Sequence, residues 1–313
     1  MIVQQPFDSS LKHLWNDINA YQNTHSIFST YEWHENFAIS LGKDKNIQIY
    51  IYKNCIIAPF IHKTNTLQLS GGIEVSDYMD IIGQKDIYPQ AWNEIIRFAK
   101  RNEISFILLN NIPETSPTYQ FFSHHKKTQK YSCSIEHEDT TPMFDLPETW
   151  DTYLLSLKRK HRHELRRKIR KFENDNKEIY IHEENNSKQS INKLILLMKR
   201  NPNKQSFFSP QMEQFFLGIP TSLNQHVSLR SLKIGNEIIA MTLSFIYHNT
   251  MYLYNSGFND SSHSGSGFYL KAKNIQDAIE KNITRYNFLQ GNERYKYELG
   301  GKNFHVYSIN ITL

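Results

Sequence analysis

Residues 226–258 read HVSLRSLKIGNEIIAMTLSFIYHNTMYLYNSGF, and this stretch decides the fold class of the chain. Three runs within it are apolar or alternate apolar with polar side chains, which is the pattern of paired strands. The pair Gly235–Asn236 predicts a tight turn between the first two runs, and His248–Asn249 predicts a looser turn between the next two. The stretch is therefore predicted to be an antiparallel meander.

The first half of the chain has the same order of elements. Three further alternating runs, NIQIYIYK, IIAPFIH and TLQLS, lie between residues 46 and 70. An amphipathic helix and a strand follow each meander, at 88–102 and 104–112 in the first half and at 266–282 and 284–289 in the second. The sequence predicts an α+β fold with a duplicated layout, although no residue-level repeat is visible.

The length of the chain also favours two domains. The 313 residues correspond to two units of ordinary size. The polar stretch EDTTPMFDLPET (138–149) contains two prolines and is the best candidate for a boundary. We expect the domains to occupy residues 1–142 and 143–313.

Composition restricts the location of the protein. No stretch approaches about 18 consecutive apolar residues, so a transmembrane helix is not expected. The N-terminal sequence lacks the basic start and apolar run of a signal peptide. Cys55 and Cys133 have neither metal-ligand nor CxxC spacing, which indicates a reducing compartment. We expect a cytoplasmic protein, with peripheral association at the inner face of the membrane as a further option.

One segment carries most of the positive charge. Residues 158–171, KRKHRHELRRKIRK, hold nine Lys or Arg and one Glu, a net charge of +8, within a chain of net charge +5. The other residues therefore sum to 5 − 8 = −3. A phosphate-rich partner or an anionic surface is the natural ligand for such a segment.

The basic segment lies in a predicted helix at about 149–175. Six residues fall on one stripe of this helix and should dock on a core: Leu154, Leu157, His161, Leu165, Ile169 and Phe172. Lys158, Arg162 and Arg166 follow one flank of the stripe, where they can hold a phosphate or carboxylate. The alternative is that these cations form the solvated face of a surface helix.

Two further segments can carry chemistry. Ser264, Gly265, Ser266 and Gly267 stand between a strand and a helix, where open N–H groups bind anions, although a plain capped turn explains them almost equally well. The segment YNFLQGNERYKYELGGK (286–302) places a polar and aromatic cluster after a strand end. No histidine has zinc-ligand spacing, so no metal site is expected.

These segments, in this order, resemble the BioF-like/CelD-type acetyltransferases of the GNAT superfamily, which are related to the FemABX peptidyltransferases. The resemblance rests on the basic helix, on GNEIIAM (235–241), on MYLYNSGF (251–258), on the SGSG loop and on FLQGNERYK (288–296). In the first half, FSTYEWHENF (28–37) and SDYMD (76–80) are similar to hallmarks of the family. The loop His263–Gly267 departs from the usual CoA-pyrophosphate signature Q/R-x-x-G-x-G/A.

The resemblance implies a tandem pair of GNAT-like domains that transfers an acyl group to an amine. It implies acyl-CoA or aminoacyl-tRNA as a co-substrate, with no tightly bound cofactor, and a sugar, lipid or peptidoglycan precursor as the acceptor. Glu293, Tyr295, Lys296 and Tyr254 are then the candidate catalytic residues, with Glu293 as a base and Lys296 as an oxyanion or phosphate partner.

Substrate-binding candidates come from both halves. They are Lys158, Arg162 and Arg166 in the basic helix, and Asp77 and Tyr78 in the first-half motif. The four residues of the SGSG loop are the donor-binding candidates. The alternative function is that of a non-catalytic protein that binds RNA or a membrane surface through the basic helix 158–171.

Overall fold

The computed structural model describes residues 1–21, 26–124, 131–259 and 263–313, without the side chain of Asn203. Contacts divide the chain into two compact units, one of residues 1–140 with 304–313 and the other of residues 141–303. Each unit is described by itself.

The described strands, in chain order, are β1 (Ile2–Pro6), β2 (Asn46–Tyr52), β3 (Ile56–Lys63), β4 (Thr66–Leu69), β5 (Ile82–Gly83), β6 (Phe106–Pro113), β7 (Ser132–Thr140), β8 (Met143–Asp145), β9 (Ile179–Glu183), β10 (Val227–Ile234), β11 (Glu237–Tyr247), β12 (Thr250–Phe258), β13 (Arg285–Asn287) and β14 (His305–Thr312). The described α-helices are α1 (Lys12–Ala20), α2 (Tyr31–Ile39), α3 (Tyr88–Arg101), α4 (Pro117–His124), α5 (Trp150–Ser156), α6 (Arg159–Asp175), α7 (Lys188–Lys199), α8 (Pro202–Gln205), α9 (Pro210–Ser222), α10 (Ser266–Glu280) and α11 (Arg294–Glu298).

The first unit is built on a sheet of order β1-β2-β3-β4-β6-β14-β7, with β5 paired to β3. The predicted meander is present, because β2, β3 and β4 pair antiparallel. Helix α3 then leads into β6, which pairs parallel with β4. The apolar side of α3 is buried at the spacing the sequence predicts, with Trp92, Ile95 and Ala99 each 0% exposed.

The second unit repeats this layout in a sheet of order β8-β13-β12-β11-β10-β9. Strands β10, β11 and β12 form the predicted antiparallel meander. Helix α10 connects β12 to β13, and these two strands pair parallel. The α+β class and the presence of two sheets of similar layout are confirmed.

The predicted helix at 149–175 is wrong as a single helix. Leu157 and Lys158 have extended backbones, with ψ of 145° and 139°, and separate α5 from α6. The break has a packing cause: the Leu157 side chain is 6% exposed and lies against Gly300, where an added Cβ would be 3.0 Å from Leu157 Cδ2. The predicted stripe survives because each of the two helices turns its own apolar residues inward.

The last strand also differs from the expected layout. The sequence places residues 303–311 at the end of the second half, yet β14 pairs antiparallel with both β6 and β7. Residues 304–313 therefore belong to the first unit. In the part of the chain that the structure describes, no helix combines the length and the apolar character needed to cross a bilayer.

Candidate active site

The second sheet opens beside β12. Strands β12 and β13 are paired at only three positions, from Thr250↔Arg285 to Tyr252↔Asn287. β13 then ends, whereas β12 continues to Phe258. Residues 253–258 therefore have no strand partner on this side among the described residues. An extended ligand can bind to such a free strand edge through its own amide groups.

A buried lysine fixes the chain where it leaves β13. The Lys296 side chain is 2% exposed, and its Nζ donates to the carbonyl oxygens of Leu289 at 3.0 Å, Gln290 at 2.5 Å and Gly291 at 3.2 Å. The Glu293 carboxylate lies 3.0 Å from the same Nζ. Since an ammonium has three N–H groups, these contacts use all of its donors.

Glycine is required at position 291 of this turn. Gly291 has φ of 108°, and an added Cβ would lie 2.4 Å from Glu293 Oε2 and 3.2 Å from Lys296 Nζ. The absence of a side chain lets the ion pair close over the turn. The Glu293 side chain itself is 57% exposed, so its carboxylate faces solvent while it holds Lys296.

A second buried lysine, which the sequence analysis missed, lies beside Tyr295. Lys271 on α10 is 5% exposed, and its Nζ is 4.6 Å from the centre of the Tyr295 ring and 5.0 Å from that of Phe258. Burial, and then the Glu293 carboxylate, raise the pKa of Tyr295 well above its usual value. The available signal was a lysine on the apolar face of an amphipathic helix, four residues after Gly267.

A third lysine approaches from α8. Lys204 Nζ donates to the carbonyl oxygen of Ser256 on β12, at 3.3 Å. Burial lowers the pKa of Lys204, and the Glu293 carboxylate opposes that shift. Lys204 and Lys271 thus both contact residues at the end of β12, Ser256 and Phe258.

The SGSG loop forms the start of α10. Gly265 is the N-cap, with φ of 87°, and Gly267 lies so close to Phe258 that an added Cβ would be 2.6 Å from its Cδ1. The N–H groups of Gly267 and Phe268 have no hydrogen-bond acceptor among the described residues. The Ser266 Oγ is buried and likewise lacks a partner within the described ranges. These groups suit an anion or another acceptor.

The flank that the sequence predicts on the basic helix is only partly present. Lys158 precedes α6, Arg162 donates to the Leu155 carbonyl oxygen at 3.3 Å, and Arg166 is exposed. A different face of α6 lines a groove of about 1020 Å³ together with α11. The groove residues are Arg159, Lys160, His161, His163, Glu164, Arg294 and Glu298.

The two acidic residues of the groove, Glu164 and Glu298, are both held in ion pairs. Hydrogen bonds from Arg167 lower the pKa of Glu164 to about 2. Burial acts to raise the pKa of Glu298, but ion pairs with Lys168 at 2.9 Å and Arg294 at 2.7 Å hold it below its usual value. The groove therefore presents a predominantly positive surface.

The remaining candidates lie elsewhere. Tyr254 on β12 stacks on Phe216, with ring centres 5.9 Å apart. Asp77 and Tyr78 belong to the first unit, where Tyr78 is 8% exposed and its ring centre is 6.0 Å from that of Phe304. No cluster of three or more His, Cys, Asp or Glu side chains suited to a metal occurs in residues 1–21, 26–124, 131–259 and 263–313.

Residues 159–297 match the family model described as an acetyltransferase (GNAT) domain. This part of the chain is similar to GNAT acetyltransferase domains. It includes α6, the β9–β13 strands, the α10 loop and α11, which together hold the features described above. The match supports a GNAT-like N-acyltransferase activity.

Solved structures resemble this chain over nearly its whole length, beyond the residues that match the family model. L-PGS from Bacillus licheniformis is 14% identical, with a TM-score of 0.64 over 97% of this chain and 92% of its own. FemX is 9% identical, with a TM-score of 0.64 over 98% and 96%. A tandem GNAT protein from the clavulanic acid biosynthesis pathway is 8% identical, with a TM-score of 0.51 over 99% and 98%.

These structural likenesses establish a shared fold, and the sequence identities are too low to carry a substrate. The comparison with curated proteins finds no match. The BioF-like/CelD-type subfamily therefore remains a prediction from the motifs.

Proposed function

We propose that the protein transfers an acyl or aminoacyl group to an amine on a sugar, lipid or peptide precursor. The donor is acyl-CoA or aminoacyl-tRNA. The BioF-like/CelD-type motifs support this class of reaction, and the fold shared with FemX and L-PGS is compatible with it.

The observation that carries the proposal is the free edge of β12 next to the open start of α10. Beyond Tyr252, β12 has no strand partner on the β13 side among the described residues, so an extended donor can lie along this edge. The N–H groups of Gly267 and Phe268, in the first turn of the next helix, α10, suit the donor's phosphate. A long, amide-containing and phosphorylated donor matches both features at once.

The chemistry is a direct transfer. The amine nitrogen attacks the acyl carbon, a C–N bond forms, and the carbonyl π electrons move to oxygen. The tetrahedral oxyanion then collapses, the bond from carbon to the donor sulfur or oxygen breaks, and the leaving atom takes that electron pair. One proton passes from the nitrogen to the leaving group, so that no oxidant or reductant is needed.

Glu293 and Tyr295 are the groups proposed to move that proton. The Glu293 carboxylate is solvent-facing and fixed by Lys296, so it can accept a proton from an incoming ammonium. The Tyr295 hydroxyl is protonated, because burial raises its pKa, and it can donate its proton to the leaving group while it receives the proton lost by the attacking nitrogen. Tyr254 is proposed to line the acceptor side.

The cations of α6 are proposed to bind a phosphate-bearing part of a substrate. Arg159 and Lys160 reach the groove, and Arg166 lies exposed on the same helix. Exposed guanidinium and ammonium groups favour phosphate through charge-assisted hydrogen bonds. Asp77 and Tyr78 of the first unit remain proposed substrate contacts on the basis of the resemblance alone.

Substitution of Ser266 tests the donor site. Ser266→Ala removes a buried hydroxyl that has no partner within the described ranges, so stability should stay the same or rise slightly. If the hydroxyl contacts the donor, the Kd for its preferred donor should rise about tenfold, the effect of one lost hydrogen bond. Isothermal titration calorimetry with acetyl-CoA and with aminoacyl-tRNA measures the Kd for each donor.

Ser264→Ala is the comparison in the same loop: Ser264 is exposed, so its substitution should raise the Kd less than that of the buried Ser266. Transfer of labelled acyl groups to a panel of amines then identifies the reaction. A protein that binds RNA or anionic vesicles but neither donor, and transfers nothing, would instead be the non-catalytic binder.

A further inference from the structure

The second unit has a further groove at the β9 end of its sheet, on the opposite side of β12 from β13. Strands β9 and β10 form its floor, and helices α6 and α10 contribute the other walls. Its volume is about 490 Å³, and sites for small molecules commonly enclose about 300–1,000 Å³. The residues that line it are distinct from the candidate catalytic and donor-binding residues.

Arg230 on β10 brings a guanidinium with unused donors to this groove. Its side chain is 13% exposed, and its Nη1 donates to the Lys273 carbonyl oxygen at 3.3 Å and to Asn274 Oδ1 at 3.0 Å. Its Nη2 has no hydrogen-bond acceptor among the described residues. Its Nε is 3.7 Å from Glu183 Oε2, which is too far for a hydrogen bond. The edge of the guanidinium formed by Nε and Nη2 can therefore still bind an acceptor.

A carboxylate is the group that fits this edge of Arg230. Two parallel N–H groups of an arginine meet the two oxygens of a carboxylate in a bidentate pair. Arg230 is largely buried, so little water competes for its charge and the pair is stronger than it would be on the surface. Because a buried N–H group without an acceptor costs free energy, a ligand carboxylate would also relieve that cost.

The other charges of the groove argue against a ligand that is only an anion. Arg230 and Lys273 contribute two positive charges. Glu173, Asp277 and Glu280 contribute three negative charges, so the lining has one net negative charge. A ligand that carries both a carboxylate and an ammonium adds no net charge, and it complements this lining better than an anion does.

Glu280 is the acid of the groove that is available to an ammonium. It is in no ion pair among the described residues, and its Oε1 accepts a hydrogen bond from Gln276 Nε2 at 3.0 Å. Asp277 lies 3.6 Å from Arg230 and already pairs with Lys281 at 2.9 Å. Glu280 follows Asp277 by three residues on the same face of α10, so the free acid is one turn from the acid beside the arginine.

The β9 side of the groove is apolar. Ile179 and Ile181 alternate with Tyr180 on β9, so the two isoleucines lie on one face of the strand and Tyr180 lies on the other. The isoleucines line the groove and are half-buried, whereas Tyr180 is 57% exposed. A branched apolar group removes more apolar surface from water against these side chains than a polar group does.

We propose that this groove binds a free amino acid with an apolar side chain. The carboxylate pairs with the open edge of Arg230, the ammonium pairs with Glu280, and the side chain packs on the two isoleucines of β9. The groove is separate from the proposed transfer site, so this proposal stands or falls independently of the transfer reaction.

Ligand titrations of the full chain test the proposal. Each standard amino acid is added in turn, and leucine and similar apolar amino acids should raise the midpoint of thermal unfolding, because a ligand that binds the folded state stabilises it. Two analogues of leucine separate the charges, since leucinamide lacks the carboxylate and isocaproate lacks the ammonium. In isothermal titration calorimetry, each analogue should bind at least about tenfold more weakly than leucine, the effect of one lost charge-assisted hydrogen bond.

Substitutions locate the site. Arg230→Lys keeps the positive charge but loses the bidentate geometry, so the Kd for leucine should rise about tenfold. Ile181→Trp fills the groove and should abolish binding. Tyr180→Trp is the matched control, because it places the same ring on the other face of β9, and its Kd should stay within about twofold of the wild type. Thermal unfolding of each variant without ligand shows whether it is folded.

Three results would overturn the proposal. The first is that no amino acid raises the unfolding midpoint or binds in the calorimeter. The second is that leucinamide binds as tightly as leucine, since Arg230 would then hold no carboxylate. The third is a Kd for leucine that stays at the wild-type value in a folded Arg230→Lys or Ile181→Trp variant.

Discussion

At the scale of single residues, burial changes what a charged side chain does. The motif GNERYK draws attention to Lys296, but the sequence offers only a solvated or a catalytic lysine there. The structure gives it a third role, as the donor to three consecutive carbonyls. That role depends on the path of residues 289–291, which no spacing rule predicts.

Asp80, in the first unit, is another ionisable residue whose pKa is changed by its surroundings. Its carboxylate accepts hydrogen bonds from the hydroxyls of Ser116 and Thr118 and from the Ile81 N–H at 2.7 Å. Burial outweighs these hydrogen bonds and raises the pKa of Asp80 to about 7. The folded chain therefore keeps a proton that the unfolded chain releases at the ordinary value of 3.8.

This difference predicts a pH dependence of stability. As pH rises from about 4 to about 7, the folded state binds more protons than the unfolded state, so Asp80 lowers the free energy of unfolding by up to about 1.4 kcal/mol per pH unit. Asp80→Asn removes this contribution, and the stability of the variant relative to the wild type should increase across that window. Urea denaturation at several pH values measures the free energy of unfolding of the wild type and of the variant. If the free energy of unfolding of the wild type and that of the variant changed with pH in parallel, Asp80 would titrate near its ordinary value.

At the scale of elements, periodicity predicts most of the chain. Both meanders, helix α3 and helix α10 lie within about three residues of the predicted bounds. These elements have a strong alternation or a clear apolar stripe, and local pattern decides them. The break between α5 and α6 was missed, because it depends on Leu157 packing against Gly300, a contact far apart in sequence.

The start of α10 provides a prediction about two glycines of one loop. Gly267→Ala would place a Cβ 2.6 Å from Phe258, so helix and strand must move apart, at a cost of about 1–3 kcal/mol in the free energy of unfolding. The affinity for the donor should also fall, because the shift of α10 moves the N–H groups of Gly267 and Phe268.

Gly265→Ala is the comparison. No atom of the described residues lies within 4 Å of the position its Cβ would take, so we expect a cost close to that of the positive φ, about 1 kcal/mol. Chemical denaturation and donor titration of both variants test the difference. Equal effects on stability would argue against a close contact of Gly267 with Phe258.

At the scale of the whole molecule, the sequence predicted two related sheets but not the membership of the last strand. Local patterning identifies β14 as a strand and says nothing about its partners. The structure inserts it between β6 and β7, where it pairs with both. Its buried residues, Val306, Ile309 and Ile311, complete the apolar interior of the first sheet.

Removal of residues 304–313 should therefore damage the N-terminal unit. Without β14, strands β6 and β7 each lose a partner and expose unpaired backbone groups. Amide hydrogen exchange should lose protection at residues 106–113 and 132–140, while β10–β12 keep theirs. Deletion of Leu313 alone is the control, since it lies beyond β14. Full protection of β6 and β7 in the shortened chain would contradict the pairing.

The insertion of β14 also sets an order of events at the ribosome. A chain is made from its N-terminus, and domains ordinarily fold in that order as they emerge. Here all of residues 141–303 are synthesised before the strand that joins β6 to β7 exists. The unit that is translated first is consequently finished last, and until then the edges of β6 and β7 that β14 covers stay open to pairing with other strands.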